Sequence, residues 1–260
     1  MLSDRHFLAS VYLMREKVPS FAQYPFHLPA VSGLDTLEFH PSVTFLIGEN
    51  GSGKSTLLEA IAVALGLNAE GGSRNFNFAT RGSHSSLCDF IRVRQGIRRP
   101  RDSWFLRAES FFNVATEIEK LDAASPATAG NPKIGPAYGG ISLHEQSHGE
   151  SFFALFRNRF QGNGLYLLDE PEAALSPMRQ MGFLSMMHDL VRDGSQFIIA
   201  THSPIIMAYP DSCIYLLGGN QIVKVPYIET EHYKITRDFL NHPSRMLSVL
   251  LERESSSDPE

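Results

Sequence analysis

The sequence predicts an α/β fold with helices packed on the faces of a parallel sheet. Three observations predict it. From residue 150 onward, strand-length apolar runs alternate with helical stretches, the pattern of parallel strands joined by crossover helices. Residues 43–47 (VTFLI) form a short apolar run of the kind a buried parallel strand needs, and they lead straight into a glycine-rich turn and a helix. Two further apolar runs, at 165–168 and 197–200, each end in polar residues, as strands do where they deliver side chains to one sheet edge.

Taken in order, residues 7–13 read as an apolar strand, followed by a proline-punctuated stretch from 19 to 29. The helix after the glycine-rich turn runs from Lys54 to about Leu65, with Leu57, Leu58, Ile61 and Leu65 at helical spacing. Residues 90–108 read as two strands joined by an Arg/Pro/Asp connection, and a helical stretch follows over 112–121. Alanine, glycine, proline and serine dominate 122–141, which reads as a mobile loop. Beyond it the order is helix 150–160, strand 165–169, helix 178–192, then strands at 196–200, 213–217 and 221–225. The tail 253–260 reads as disordered, leaving a single domain over 1–252.

Composition narrows the function. The 260 residues are 43% hydrophobic and 20% charged, ordinary for a globular chain with a sizeable core. A net charge of −5 argues against nucleic-acid binding driven by overall charge, leaving only a local patch. Cys88 and Cys213 are too few for a disulfide framework or a zinc cluster. No apolar run reaches the ~20 residues of a membrane span, and the N-terminus lacks a signal-peptide layout, so a cytoplasmic location is expected.

Gly48-Glu49-Asn50-Gly51-Ser52-Gly53-Lys54-Ser55 fits G-x-x-x-x-G-K-[ST]. Glycines let the backbone turn its N–H groups onto phosphate oxygens, and a capped amphipathic helix adds its positive N-terminal end. Lys54 suits the β- and γ-phosphates, and the Ser55 hydroxyl suits Mg²⁺. The strand 165–169 ends in Asp169 and Glu170. Asp169 is placed to hold the Mg²⁺ shell and Glu170 to polarise a water, although Pro171 also allows the acids to cap a helix. The strand 197–200 ends in Thr201 and His202, a third polar delivery to the same edge. Ser147, His148, Gly149 and Glu150 precede an aromatic-rich helix. They read as a capping box and, compatibly, as a second anion-binding helix end.

The order GENGSGKST, SHGES, LYLLDEPEAALSP, IIATHSP resembles the ABC-type ATPase superfamily, which includes transporter nucleotide domains and chromosome-maintenance heads. More narrowly, it is similar to small stand-alone bacterial ATPases labelled AAA family. The resemblance spans about residues 5–225. It implies a P-loop NTPase fold of the ABC-head type: parallel core, antiparallel flank, and a helical lobe around 110–160. It makes 48–56, through Thr56, the Walker A loop, Asp169 the Walker B aspartate, Glu170 the catalytic glutamate, 174–176 the D-loop and His202 the switch histidine. Lys54 joins Glu170 and His202 in catalysis, and Ser55 joins Asp169 at the metal. Ser147, His148 and Gly149 stand at the signature, with His148 replacing its first glycine and Glu150 its second.

The resemblance further implies ATP as nucleotide, Mg²⁺, hydrolysis to ADP and phosphate, and a head-to-tail homodimer that drives or gates a protein partner or a DNA-linked process. Several features depart from it. The glutamine expected after the antiparallel strands is absent, with Glu109 nearby. Tyr12, Tyr24 and Phe26 are the aromatics available for adenine, and no coiled-coil insertion is present. Rival readings are a nucleotide-gated switch that recruits a partner, a transporter subunit and a P-loop kinase. Arg92, Arg94, Arg98, Arg99 and Arg101 form a basic cluster that reads first as a solvated strand edge and second as a DNA-phosphate contact.

Overall fold

A computed structural model of the chain describes residues 6–72, 85–108, 116, 148–219 and 221–252. The helical stretch expected at 112–121 lies, but for Thr116, outside these, as do Glu109, Ser147, the stretch 122–146 and the tail 253–260.

The core is a six-stranded sheet in the order β5-β6-β7-β3-β8-β9. Its strands are β3 (Val43–Ile47), β5 (Asp102–Arg107), β6 (Gly164–Asp169), β7 (Gln196–Ala200), β8 (Ser212–Gly218) and β9 (Gln221–Lys224). Neighbours run parallel from β5 through β8, and β9 returns antiparallel to β8. A second sheet, order β2-β1-β4, is antiparallel throughout and consists of β1 (Leu8–Leu13), β2 (Thr36–Glu38) and β4 (Ile91–Gln95).

This arrangement corrects one expectation. The two strands read over 90–108 do not lie together in the antiparallel flank. β4 pairs with β1, whereas β5 crosses to the core sheet and pairs parallel with β6, Arg107 opposite Asp169. The connection between them therefore bridges two sheets instead of closing a hairpin.

Period-two alternation assigns the core side chains to two faces. Along β6, Tyr166 and Leu168 join one cluster, while Leu165 and Leu167 join the other. Along β7, Phe197 and Ile199 alternate with Ile198 and Ala200 in the same way. The first face is covered by α3 (His148–Arg159) and α4 (Pro177–Arg192). Phe152, Phe156 and the following Phe160 recur every four residues and so form one stripe towards the sheet. Phe160 stacks on Tyr166 with centroids 4.2 Å apart, and Phe156 meets Phe183 edge-on at 5.0 Å. The second face is covered by α2 (Lys54–Ala64), through Leu57, Leu58 and Ile61, and by the antiparallel sheet.

Gln196 joins the two sheets. Buried at the start of β7, its Oε1 accepts from the Phe7 and Leu8 N–H groups at 3.0 and 2.9 Å. Its Nε2 donates to the Leu8 and His40 carbonyls at 2.7 and 3.0 Å. All four of its hydrogen-bonding positions are thereby used.

The chain closes with elements that the sequence reading left unassigned. A short helix α5 (Pro204–Met207) follows His202, and α6 (Glu231–Asn241) and α7 (Pro243–Glu252) follow β9. The remaining short helix, α1 (Pro29–Ser32), packs beneath the glycine-rich loop, where the Ala30 N–H donates to the Ser52 carbonyl at 2.8 Å.

Candidate functional site

Three adjacent parallel strands end at one edge of the sheet, and their order fixes which side chains meet. β3 delivers the glycine-rich loop, its neighbour β7 delivers Thr201 and His202, and β6 delivers Asp169 and Glu170. The ladder continues past the strand ends: the Thr201 N–H donates to Leu46 O at 3.2 Å and the Glu170 N–H to Ala200 O at 2.9 Å. The polar residues therefore stand on backbone held by main-chain hydrogen bonds.

Within the loop, a Cβ on Gly48 would collide with the Leu217 carbonyl oxygen, and its φ of 150° lies where L side chains are strained. Gly53 begins α2 in the left-handed region with φ 94°. No side chain at the N-cap caps this helix, contrary to expectation, so its first N–H groups lack that acceptor. The Ser52 hydroxyl is buried without a hydrogen-bond partner among the described residues. These features suit the cradling of an anion.

Lys54 is only 4% exposed, and its ammonium donates to the Gly48 and Glu49 carbonyls at 2.9 and 3.0 Å. Burial pulls its pKa below the ordinary lysine value, while Glu170, Asp169 and Glu172 oppose that shift. Ser55 Oγ donates to Asp169 Oδ1 at 2.9 Å. A serine hydroxyl and a carboxylate in contact beside a glycine-rich loop form an oxygen donor pair that suits Mg²⁺.

Glu170 has φ 51° and its side chain makes no cap hydrogen bond to the turn that follows. Its Oε1 lies 3.6 Å from His202 Nε2. The turn that follows, Pro171–Ala174, is 3-10. From it, Glu172 reaches back to accept the His202 N–H at 2.5 Å. Burial pushes the Glu172 carboxyl above its ordinary value. His202 is shifted down, first by burial and then by Lys54.

The structure thus gathers Gly48, Gly53, Lys54, Ser55, Asp169, Glu170 and His202 at one edge. It also adds residues that sequence reasoning missed. Arg107 Nε lies 3.4 Å from Asp169 Oδ2, and Arg107 Nη1 pairs with Glu59 Oε2 at 2.7 Å. Glu172 and His232 both hold His202. A signal for Glu172 was available in its place two residues beyond Glu170. None pointed to His232.

At the signature, Ser147 lies outside the described residues, as does the side chain of His148. Gly149 is buried, and a Cβ there would collide with Arg179 Nη1 and sit 3.0 Å from the Ala174 carbonyl. Glu150 Oε1 lies 3.6 Å from Arg179 Nη2. Gly149 thus packs directly on the segment that follows Asp169.

The aromatic candidates separate. Phe26 is withdrawn from solvent and packs edge-on against Phe90 at 4.9 Å, which removes it as an adenine platform. Tyr12 and Tyr24 are exposed. Arg92 and Arg94 share the solvent face of β4. Arg94 pairs with Glu38 at 3.6 Å, Arg98 donates to Asn163 at 2.7 Å, and Arg99 donates to Gln95. The basic cluster is therefore partly spent on local partners. Among the described residues no helix is long and apolar enough to cross a membrane.

Two family models match the chain, an AAA domain over residues 21–111 and one described as "AAA domain, putative AbiEii toxin, Type IV TA system" over 89–208. The hemin import ATP-binding protein HmuV of Nocardia farcinica is 28% identical over 243 residues, 83% of this chain and 80% of the relative. The cell division ATP-binding protein FtsE of Haemophilus influenzae is 28% identical over 202 residues, 74% and 91% of the two chains. The SMC head domain of Thermotoga maritima aligns at a TM-score of 0.43 with 17% identity, over 84% and 98% of the two chains. In its glycine-rich loop and acidic strand end, and in these matches, the chain is similar to AAA domains and to ABC-type ATP-binding proteins.

Proposed function

We propose that residues 1–252 form one ATPase head that hydrolyses ATP to ADP and phosphate and works as a nucleotide-dependent head-to-tail homodimer. The observation that carries this reading is the meeting of Lys54, the Ser55–Asp169 pair and the Glu170–His202 pair at one sheet edge.

The loop 48–56 binds the triphosphate through its N–H groups, and Lys54 exchanges the Gly48 and Glu49 carbonyls for phosphate oxygens. Ser55 and Asp169 would hold Mg²⁺, which when bound neutralises phosphate charge. Glu170 accepts the proton of the attacking water. His202 Nε2 faces both Glu170 and the γ-phosphate and holds their geometry. Gly149, at the start of α3, and Ser147, two residues before it in the sequence, serve the partner head's γ-phosphate. Dimer formation gates a partner, and a cytoplasmic location belongs to this reading. DNA is the weaker partner candidate, because Arg94, Arg98 and Arg99 already have local partners.

Phosphate release by the wild type with Mg-ATP, against Glu170→Gln, tests the hydrolytic part. Steady release that the substitution reduces at least a hundredfold is the expected result. No release from the wild type under any nucleotide or partner condition would overturn it.

A further inference from the structure

His202 has a second histidine behind it. His232 Nε2 lies 3.1 Å from His202 Nδ1, with the rings 5.3 Å apart and tilted by 53°. His232 belongs to the first turn of α6, in a part of the chain that none of the sequence motifs reaches. That turn is fixed from both sides. Thr230, 3% exposed, caps α6 by accepting from the Tyr233 N–H at 3.3 Å and donates to the Tyr227 carbonyl at 2.8 Å. The Tyr227 hydroxyl donates to the Pro204 carbonyl at 2.9 Å, two residues beyond His202. The segment 227–232 is thus fastened to the loop that carries His202.

One proton lies between the two rings, and its position decides what His202 offers to the site. If His202 Nδ1 carried it, His202 Nε2 would present a bare lone pair to the Glu170 carboxylate 3.6 Å away. His232 would then bury an N–H at Nδ1, an atom without a partner among the described residues. An unpartnered buried donor and two facing lone pairs are both costly. If His232 Nε2 carries the proton instead, His202 Nδ1 accepts it and His202 Nε2 becomes an N–H aimed at Glu170. Either arrangement leaves one buried N–H without a hydrogen bond among the described residues, since His202 Nε2 has none at 3.6 Å; the second turns that N–H towards the carboxylate and leaves only a bare acceptor at His232 Nδ1. Both imidazoles are held below the ordinary histidine value by burial, with Lys54 next in each case, which favours this neutral pair.

We propose that His232 is a positioning residue that donates to His202 Nδ1 and thereby locks His202 in the tautomer with its proton on Nε2, directed at Glu170 and the γ-phosphate. The helix α6, which follows the core sheet, is in this way an integral part of the nucleotide site. The consequence for turnover rests on the ATPase reading above; the tautomer does not.

The experiment therefore has two arms, both on the full chain. Two-bond ¹H–¹⁵N spectra at pH 7.5 read the tautomer, with His202 assigned by the signals lost in His202→Gln. Wild-type His202 protonated on Nε2, and a shift of its Nδ1 in His232→Leu, is the expected result. His202 protonated on Nδ1 in the wild type overturns the proposal whether or not any variant folds. In the kinetic arm, His232→Leu should lower kcat roughly 10- to 100-fold, the scale found for outer partners of metal-bound histidines, with KM for ATP within about twofold. His232→Gln places an amide N–H where Nε2–H stands and should restore most of the rate. Equal losses in Leu and Gln variants that both melt as wild type would overturn the positioning role. A wild type with the predicted tautomer and no turnover would instead sink the ATPase reading alone.

Discussion

Arg107 stands beside Asp169: the two are opposite one another on neighbouring parallel strands, and Arg107 Nε lies 3.4 Å from Asp169 Oδ2. The same guanidinium reaches Glu59 on α2, so one cation ties the acidic strand end to the helix that follows the glycine-rich loop. The side chains of Arg107, Glu59 and Asp169 are 20%, 15% and 7% exposed, so little water is available to replace a lost partner. Removing one member of such a pair costs about 3 kcal/mol. Arg107→Met should therefore lower the melting temperature by several degrees, and added Mg²⁺ should recover part of the loss by returning positive charge beside Asp169. A melt unchanged by the substitution would show that the arginine is dispensable.

What the sequence makes legible follows from what is local. The loop 48–55 and the strand ends at Asp169 and Thr201 are contiguous, and apolar runs with fixed spacing are enough to place them on one edge. The parallel pairing of β5 is not local. Its apolar run, buried on both faces in the fold, does not say whether it pairs with β4 or β6; Trp104 and Leu106 join the cluster that α3 covers and Phe105 the other. His232 lies 30 residues from the histidine it touches, so no spacing rule reaches it. The helix α6 was readable, by contrast, from Thr230 as a cap and Ile235 and Leu240 on a charged background.

Gln196 offers a second stability test. Gln196→Leu keeps the volume but leaves the Phe7 and Leu8 N–H groups and the Leu8 and His40 carbonyls unpartnered by the side chain. Each buried group so stranded costs about 1–3 kcal/mol, so the loss should exceed 2 kcal/mol. Denaturant unfolding measures it, and a change under 0.5 kcal/mol, about the scatter among surface substitutions, would contradict the bridging role.

Stability should fall on mild acidification. Burial, the leading cause in each case, holds the His40, His202 and His232 imidazoles below the ordinary value of 6.5. The folded state therefore takes up these protons later than the unfolded chain does. Their contribution is complete above about pH 6.5 and is lost as pH falls through the lowered folded values. For His40 the reason is visible, since its Nδ1 accepts from the Ser42 and Val43 N–H groups at 3.2 and 3.4 Å and cannot do so once protonated. Glu172 works in the opposite sense, because a raised carboxyl pKa favours the folded state in acid. Melts between pH 7.5 and 5.5 should decline, and His40→Asn should flatten the decline. A melting temperature that rises on acidification would reverse this assignment.

Lys54→Ala should remove most nucleotide affinity, because Lys54 is the cation held within the loop's own carbonyls. Calorimetry should find ATP binding at least about tenfold weaker, in a protein that melts near the wild-type temperature. Unchanged affinity would mean that ATP binds elsewhere.

The homodimer is tested by two substitutions that separate binding from assembly. Glu170→Gln keeps size and hydrogen bonding but removes the base, so it should bind ATP, barely hydrolyse it and accumulate as dimer. Gly149 packs against the Ala174 carbonyl, which couples the start of α3 to the segment that follows Glu170. A partner head seated at that helix end would therefore feel both nucleotide and acidic strand. Ser147→Arg puts a long cation at this end and should block dimerisation and hydrolysis while leaving ATP binding to the monomer intact. Light scattering with Mg-ATP reads both variants. If Glu170→Gln stays monomeric at saturating ATP, or Ser147→Arg hydrolyses ATP normally, the two heads do not share their sites and the dimer mechanism is wrong.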